Sequence, residues 1–216
     1  MNNIFIIRDL GLTTYKFILK KMNSFTKYRN SKTLNEIWFT EHYPVYTIGQ
    51  SIKNQKIIFK KKYSNIPIIN SNRGGNITYH GPGQQLIYFL INIKKKNMNI
   101  YQLIKCIELS IILTLKKIGI KTNNNNIMPG IYVNNKKVGF IGLRISRGCS
   151  LHGVSLNVNM NLNPFLNIVP CGDSSIKVDQ ISNYFFFKNV FNIKNMLLKK
   201  IINVFKIKKT FIKNYI

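Results

Sequence analysis

Residues 73–93 read RGGNITYHGPGQQLIYFLINI, a glycine-dense loop running directly into an apolar segment. Residues 86–93 are apolar nearly throughout and too few for a helix of ordinary length, so they read as a strand covered on both faces, central in a sheet. In residues 73–85 four glycines and a proline surround one arginine and one histidine. Glycine lets backbone approach a ligand closely and bares N–H groups, arginine pairs with an anion or a carbonyl, and histidine donates or accepts. The segment therefore reads either as a binding loop or as two tight turns flanking a short strand.

Working outward, residues 3–8 form a strand pattern, and Leu12, Tyr15, Ile18, Leu19, Met22 and Phe25 recur at helical spacing, predicting an amphipathic helix over roughly 12–28. Short β-rich runs at 36–40, 45–48 and 66–69 are broken by Pro44, Gly49 and Pro67. Asn99 with Gln102 three residues later is an N-cap pattern ahead of an apolar face from Leu103 to Ile118, and Gly119 stops that helix. Residues 123–126 read as a polar loop. Asn134 and Asn135 form a hairpin turn between strands at 130–133 and 137–145. Residues 151–159 alternate as a further strand, Pro164 and Pro170 bracket an irregular segment, and a last helix occupies roughly 191–206. The sum is a single catalytic-size domain over 1–216 of α/β (α+β) class, a mixed β-sheet with packed helices, with a C-terminal helix and tail from about 190.

Composition narrows the chemistry. With 45% hydrophobic residues and 12% aromatics, 216 residues suffice for a core without staples. The apolar runs fall short of the roughly 18 residues a spanning helix needs, and Arg8 and Asp9 follow the short run at 4–7, so neither a membrane span nor a secretory signal is expected and the cytoplasm is the default compartment. Cys106, Cys149 and Cys171 are odd in number, with no CxxC pair, which argues against a disulfide framework or a metal knuckle. The net charge of +27 by itself suggests nucleic acid or another acidic partner, but the lysines travel with Asn, Ile, Phe and Tyr, as AT-rich coding bias would produce. Only six carboxylates exist, Asp9, Glu36, Glu41, Glu108, Asp173 and Asp179, and they are scattered. A glycosidase-like carboxylate pair or an oxygen-rich metal site is thereby disfavoured, no metal is expected, and catalysis falls to Cys, Lys or His.

Two further segments carry candidates. Residues 137–153, KVGFIGLRISRGCSLHG, mark adjacent strands and hold Lys137, Gly142, Cys149, His152 and Gly153, although a strand histidine and one lysine among many can equally be structural. Residues 169–173, VPCGD, place Cys171 between a proline and a glycine outside any periodic element, where a thiol is exposed more readily than Cys106 on its apolar helix face. Cys149 is intermediate, at the junction of two strands.

Together these segments closely resemble the lipoyl(octanoyl) transferase family, whose signature is an RGGxxTYHGPGQ loop, a later lysine before a GLR strand, an HG step and a PCG cysteine, all present here in order. EHYPVYTIGQ at 41–50 and NVNMNLNPF at 157–165 also look like the family, so the resemblance covers roughly 5–182, the C-terminal 30 or so residues matching only in being helical. The resemblance implies a fold similar to biotin protein ligases, lipoate protein ligases and class II aminoacyl-tRNA synthetase cores. It implies transfer of an octanoyl group from octanoyl-acyl carrier protein to a lysine of lipoyl domains, in 2-oxoacid dehydrogenases and the glycine cleavage H protein, with no cofactor. Cys171 would be the nucleophile carrying an acyl-thioester and Lys137 the residue that lowers its pKa and handles protons. Arg73, Gly74, Gly75, Asn76, Ile77, Thr78, Tyr79, His80, Phe140, Ile141, Gly142, Gly153, Val154 and Ser155 would line the acyl pocket.

Residue chemistry is consistent with those roles. A free thiol with a pKa near 8.5 is only about 3% thiolate at pH 7, and a close cation lowers the value by about one pH unit or more. Exchange between thioesters is nearly balanced and thioester to amide is downhill, so no ATP is needed; no P-loop is present and RGG departs from the GRG of ATP-dependent biotin ligases. Backbone N–H groups near Gly172 or in the RGG loop are candidates for holding the tetrahedral oxyanion. Three alternatives stay open: an ATP-dependent lipoate or octanoate ligase on the same fold, an RNA-binding protein suggested by the charge and by residues 53–63, and a papain-like hydrolase using His42, His80 or His152.

Overall fold

The protein is described from a computed structural model over residues 3–52, 65–123, 129–185 and 190–214. The elements are β1 (Ile4–Thr13), α1 (Tyr15–Tyr28), β2 (Asn35–His42), β3 (Val45–Ile48), β4 (Ile68–Asn70), β5 (Ile77–His80), β6 (Gln84–Leu90), α2 (Ile100–Lys117), β7 (Gly130–Val133), β8 (Lys136–Ser146), β9 (Cys149–Asn157), α3 (Val190–Val204) and β10 (Lys209–Lys213). Among the described residues seven strands form one sheet in the order β10-β1-β2-β6-β9-β8-β7, and β4-β3-β5 form a small second sheet. The large sheet is mixed, with β10, β1 and β2 parallel and the remaining neighbours antiparallel.

β6 is the fourth strand of seven, as its apolar sequence requires, and every one of its residues is buried. Its alternation sorts two cores. Ile87 and Phe89 face α2 and α3, where Leu103, Ile107, Ile111, Leu197 and Ile201 are buried, while Leu86, Tyr88 and Leu90 share the α1 side with Ile18 and Met22 of α1 and Trp38 of β2. Burying each such side chain contributes about 1.5–3 kcal/mol, well beyond the intrinsic helix propensities involved, so packing rather than propensity holds these helices. The small sheet covers the α1 side with its own cluster around Tyr46, Tyr79, Phe140 and Phe165.

The expected capping box is present: the Asn99 side chain accepts from Gln102 N at 2.9 Å, and Gln102 Oε1 accepts from Asn99 N at 2.8 Å. Replacing Asn99 by alanine leaves orphan N–H groups at the start of α2 and should lower unfolding free energy by about 1 kcal/mol. Equal urea midpoints for wild type and variant would contradict the role. Gly119 follows α2 at φ +81, and Asn134 and Asn135 take φ +48 and +61, the paired left-handed values of a tight hairpin between β7 and β8.

Several boundaries differ from the sequence reading. β1 runs on to Thr13, because an irregularity between Asp9 and Leu12 lets it keep pairing with β2, so α1 begins at Tyr15 and Leu12 is exposed. β6 stops at Leu90, beyond which Asn92 bridges Cys149 and Ile93 is buried without being strand. β9 opens at Cys149 and not at residue 151, so Cys149 does sit at the junction of β8 and β9, paired with Ser146 and nearly fully buried. After α3 the chain forms β10, parallel to β1, a strand that the tail's mixed lysine and apolar pattern does not announce. Residues 53–63, and all but Asn123 of the polar loop at 123–126, lie outside the described residues.

Candidate active site

The Pro170–Gly172 turn carries Cys171 at φ +59, in the left-handed region that side chains rarely adopt. Such strain persists only where its surroundings hold it, and it recurs at functional sites. The hold is visible: Asn76 Nδ2 donates to Cys171 O at 2.8 Å, Gly172 N donates to Val169 O at 3.1 Å, and Asp173 N donates to Pro170 O at 3.2 Å. Cys171 is partly buried, and its sulfur meets Lys137 Nζ at 3.5 Å.

Lys137, near the start of β8, is only 2% exposed. Its Nζ donates to Pro129 O at 3.1 Å and sits 5.3 Å from the Tyr132 ring centroid and 5.2 Å from that of Phe140. The path of its side chain is kept open by Gly130, where a Cβ would fall 2.6 Å from Lys137 Cε and 2.8 Å from Gly139 O. In the sequence Gly130 reads only as a strand start, and no local signal ties it to the lysine.

Arg73 is also buried, and its guanidinium is spent on the loop, donating to Thr47 Oγ1, Thr47 O, Gly74 O and Asn76 O at 2.7–3.1 Å. Burial pulls it below the ordinary guanidinium value, against Tyr15 and Cys171, which favour the charge. Arg73 thus shapes the loop instead of reaching for an anion. Neither Arg73 nor Lys137 is paired with a carboxylate among the described residues. Two buried cations beside one thiol create a positive environment suited to negative charge developing on sulfur or on an acyl oxygen.

A cavity opens beside Cys171 and Lys137. Of the predicted lining residues, Arg73, Gly74, Gly75, Asn76, Ile77, Thr78, His80, Phe140, Ile141, Gly142, Gly153, Val154 and Ser155 all border it. Tyr79 does not. It points to the opposite face of β5 and packs on Tyr46 and Phe165, as strand alternation dictates. Tyr15, Leu86, Tyr88 and His152 line the cavity in addition, residues whose sequence settings suggest only a helix face, a strand core and a strand histidine. Gly74 N donates to Leu143 O and Gly75 N to Ser51 Oγ, so these donors and that of Gly172 are committed within the protein and not left for an oxyanion. Asn76 Oδ1, Thr78 Oγ1 and His152 Nδ1 are buried with no hydrogen-bond partner.

All three histidines of the chain gather beneath this cavity. His42 Nδ1 donates to Thr13 O and its Nε2 accepts from Tyr88 Oη at 2.7 Å; His80 Nδ1 donates to Gln84 Oε1 at 2.7 Å; His152 Nε2 donates to Asn72 Oδ1 at 2.5 Å. Burial holds all three neutral, taking His42 down to about 4, His152 to about 3 and His80 well below its ordinary value. Each hydrogen-bonds to another partner, so the thiol meets an ammonium and not an imidazole. This arrangement disfavours a papain-like pair. Cys106 lies on α2, its thiol pushed up by burial, and Cys149 is buried with its sulfur toward Arg147 O at 3.6 Å.

The neutral histidines set an acid limit. Their folded values lie below about 6.5, so the unfolded chain binds more protons between roughly pH 4 and 6.5, and stability falls as pH drops through that window. A tenfold difference in proton affinity between the folded and unfolded chain is worth about 1.4 kcal/mol, so the three histidines together account for a loss of several kcal/mol. Urea midpoints should be level from pH 8 to 7 and decline from pH 6.5 to 4.5; a level midpoint across the lower range would contradict this assignment.

Comparison with known proteins agrees with the geometry. Residues 8–216 match the lipoyl protein ligase A/B catalytic domain model, so the likeness extends through the C-terminal segment and well past residue 182. The chain is 45% identical over 198 residues to an octanoyltransferase of Buchnera aphidicola subsp. Acyrthosiphon pisum (strain APS), covering 92% of each. It is 47% identical over 185 residues to one of Haemophilus influenzae (strain PittEE), covering 85% of this chain and 86% of that one. Among solved structures, a lipoate-protein ligase A bound with ATP superposes with TM-score 0.73 at 13% identity over 100% of this chain and 89% of that one. The biotin protein ligase from Aquifex aeolicus in complex with biotin and ATP follows the same fold, with TM-score 0.56 at 15% identity over 94% of this chain and 70% of that one. On a match that takes in nearly its whole length, the chain belongs to the lipoyl protein ligase A/B catalytic domain family.

Proposed function

We propose that the chain is an octanoyltransferase that moves its cargo through a thioester on Cys171, taking it from octanoyl-acyl carrier protein and passing it to a lysine of lipoyl domains. Support for octanoyl transfer comes from the octanoyltransferase relatives at 44–47% identity, whereas the ligases, at 12–17%, share the fold alone. The covalent route rests on one observation: Lys137 Nζ stands 3.5 Å from the sulfur of a cysteine held at the cavity mouth.

In the first half-reaction the Cys171 thiolate attacks the donor thioester carbonyl. The bond to the pantetheine sulfur breaks, and that sulfur takes a proton from the Lys137 ammonium. In the second, the acceptor lysine's neutral amine attacks the Cys171 thioester, the carbon–sulfur bond breaks, and the amine's proton returns to Lys137. The thiolate and the ammonium are both restored. Thioester energy drives amide formation, so the cycle calls for no ATP. Acceptors of this chemistry are the lipoyl domains of 2-oxoacid dehydrogenases and the glycine cleavage H protein. No helix among the described residues is long and apolar enough to cross a membrane.

Intact mass spectrometry after mixing the chain with octanoyl-acyl carrier protein, without ATP, is the deciding measurement. One octanoyl adduct, removed by a lipoyl domain, is expected. Transfer that appears only when ATP and free octanoate are supplied would replace this reading with the ligase.

A further inference from the structure

The strand register gives the cavity a scale. Across β8, β9 and β6, Phe140 pairs with Ser155 and Ser155 with Leu86, while Gly142 pairs with Gly153 and Gly153 with Tyr88. These two rows lie two residues apart, about 7 Å along the strands. The first row adjoins the chemistry, because Lys137 Nζ is 3.5 Å from Cys171 Sγ and 5.2 Å from the Phe140 ring centroid. An eight-carbon acyl chain advances about 8 Å over its seven carbon–carbon bonds, at the per-bond reach of an extended backbone. Laid along the strands from the first row, a chain of that length reaches the second.

What stands there is a wall of rings. Tyr88 comes from the second row itself, and Tyr15, the first residue of α1, stacks on His80 with ring centroids 5.7 Å apart. Both are buried, at 3% and 2% exposure, and both hydroxyls are tied back: Tyr88 Oη to His42 Nε2 at 2.7 Å and Tyr15 Oη to Ser71 Oγ at 2.6 Å. With their polar tips fixed elsewhere and their rings bordering the cavity, neither side chain can swing aside for a longer tail without breaking a buried hydrogen bond.

Resting on the acyl-transfer reading above, we propose that Tyr15 and Tyr88 form a rigid end wall that sets the cargo at about eight carbons, with Ser155 keeping the passage to it open. The wall is a specificity element. Shortening the wall and narrowing the passage therefore shift chain length in opposite directions.

The test offers the full chain an equimolar mixture of hexanoyl-, octanoyl-, decanoyl- and dodecanoyl-acyl carrier protein and reads Cys171 adducts by intact mass. Wild type should load octanoyl preferentially. Tyr15→Ala should raise the dodecanoyl-to-octanoyl ratio about tenfold or more, the discrimination expected when a pocket admits extra methylenes. Ser155→Val, a change a buried strand accommodates, should raise the hexanoyl-to-octanoyl ratio by a similar factor and stays informative if Tyr15→Ala fails to fold. Folded variants that load Cys171 with the wild-type length profile would overturn the wall. Absence of any adduct on wild type, at every length, would instead refute the acyl-enzyme reading and this inference with it.

Discussion

Cys171→Ala is expected to lower octanoyl transfer at least about 10⁴-fold, with no covalent adduct and no loss of stability beyond a few tenths of a kcal/mol. The size follows from removing the proposed nucleophile: on that reading the donor still binds, but without a sulfur to accept the acyl group the two half-reactions cannot be separated. Stability is spared because the side chain is small and only partly buried, and because the turn is held through backbone atoms and Asn76, not through the thiol. Cys171→Ser is the sharper companion. Its hydroxyl occupies the same place but is far harder to ionise, so any adduct forms slowly and is an oxygen ester, less labile to an incoming amine than a thioester. Retention of more than about 1% of wild-type turnover by Cys171→Ala would end the covalent reading, since no single nucleophile deletion in a concerted unit is that mild.

How much of the fold and site is legible in the sequence depends on whether the signal is local. Gly-Pro-Gly, the Asn99 and Gln102 cap and the Asn134–Asn135 turn act within a few residues, and all three appear where their local chemistry places them. The apolar run of β6 announces a central strand, but not that Leu86 and Tyr88 face the cavity while Ile87 faces α2. That choice is made by register with β9 and by which helix lies on which side, information spread over the whole chain. Tyr79 shows the same limit from the other direction, since a motif quoted as a continuous string hides the alternation that turns one of its members away. Gly130 and Tyr15 lie 41 and 156 residues before Cys171. Nothing in their neighbourhoods points to a thiol. β10 is hidden for a related reason: five residues of mixed lysine and apolar character become a strand only because β1 offers a free edge.

Lys137→Met should lower kcat/KM for octanoyl transfer by about 10²–10³-fold and leave the protein as stable as wild type, or more stable. The loss matches what a positioned proton donor with an attached charge contributes. The stability half of the prediction separates a catalytic cation from a structural one. Lys137 is 2% exposed, makes one hydrogen bond to a carbonyl, at Pro129 O, and has no carboxylate partner among the described residues. Keeping an ammonium there is therefore unfavourable for folding, and a thioether of similar length relieves that while filling the same space between Tyr132 and Phe140. A site that retains an expensive charge retains it for something other than the fold. Lys137→Arg should rescue little, because the guanidinium is wider and flatter than an ammonium and the gap kept by Gly130 is already closed to a single added carbon. If Lys137→Met instead unfolds the chain while Cys171→Ala does not, the lysine serves the fold and the thiol must find its cation elsewhere, with Arg73 a second buried cation lining the same cavity.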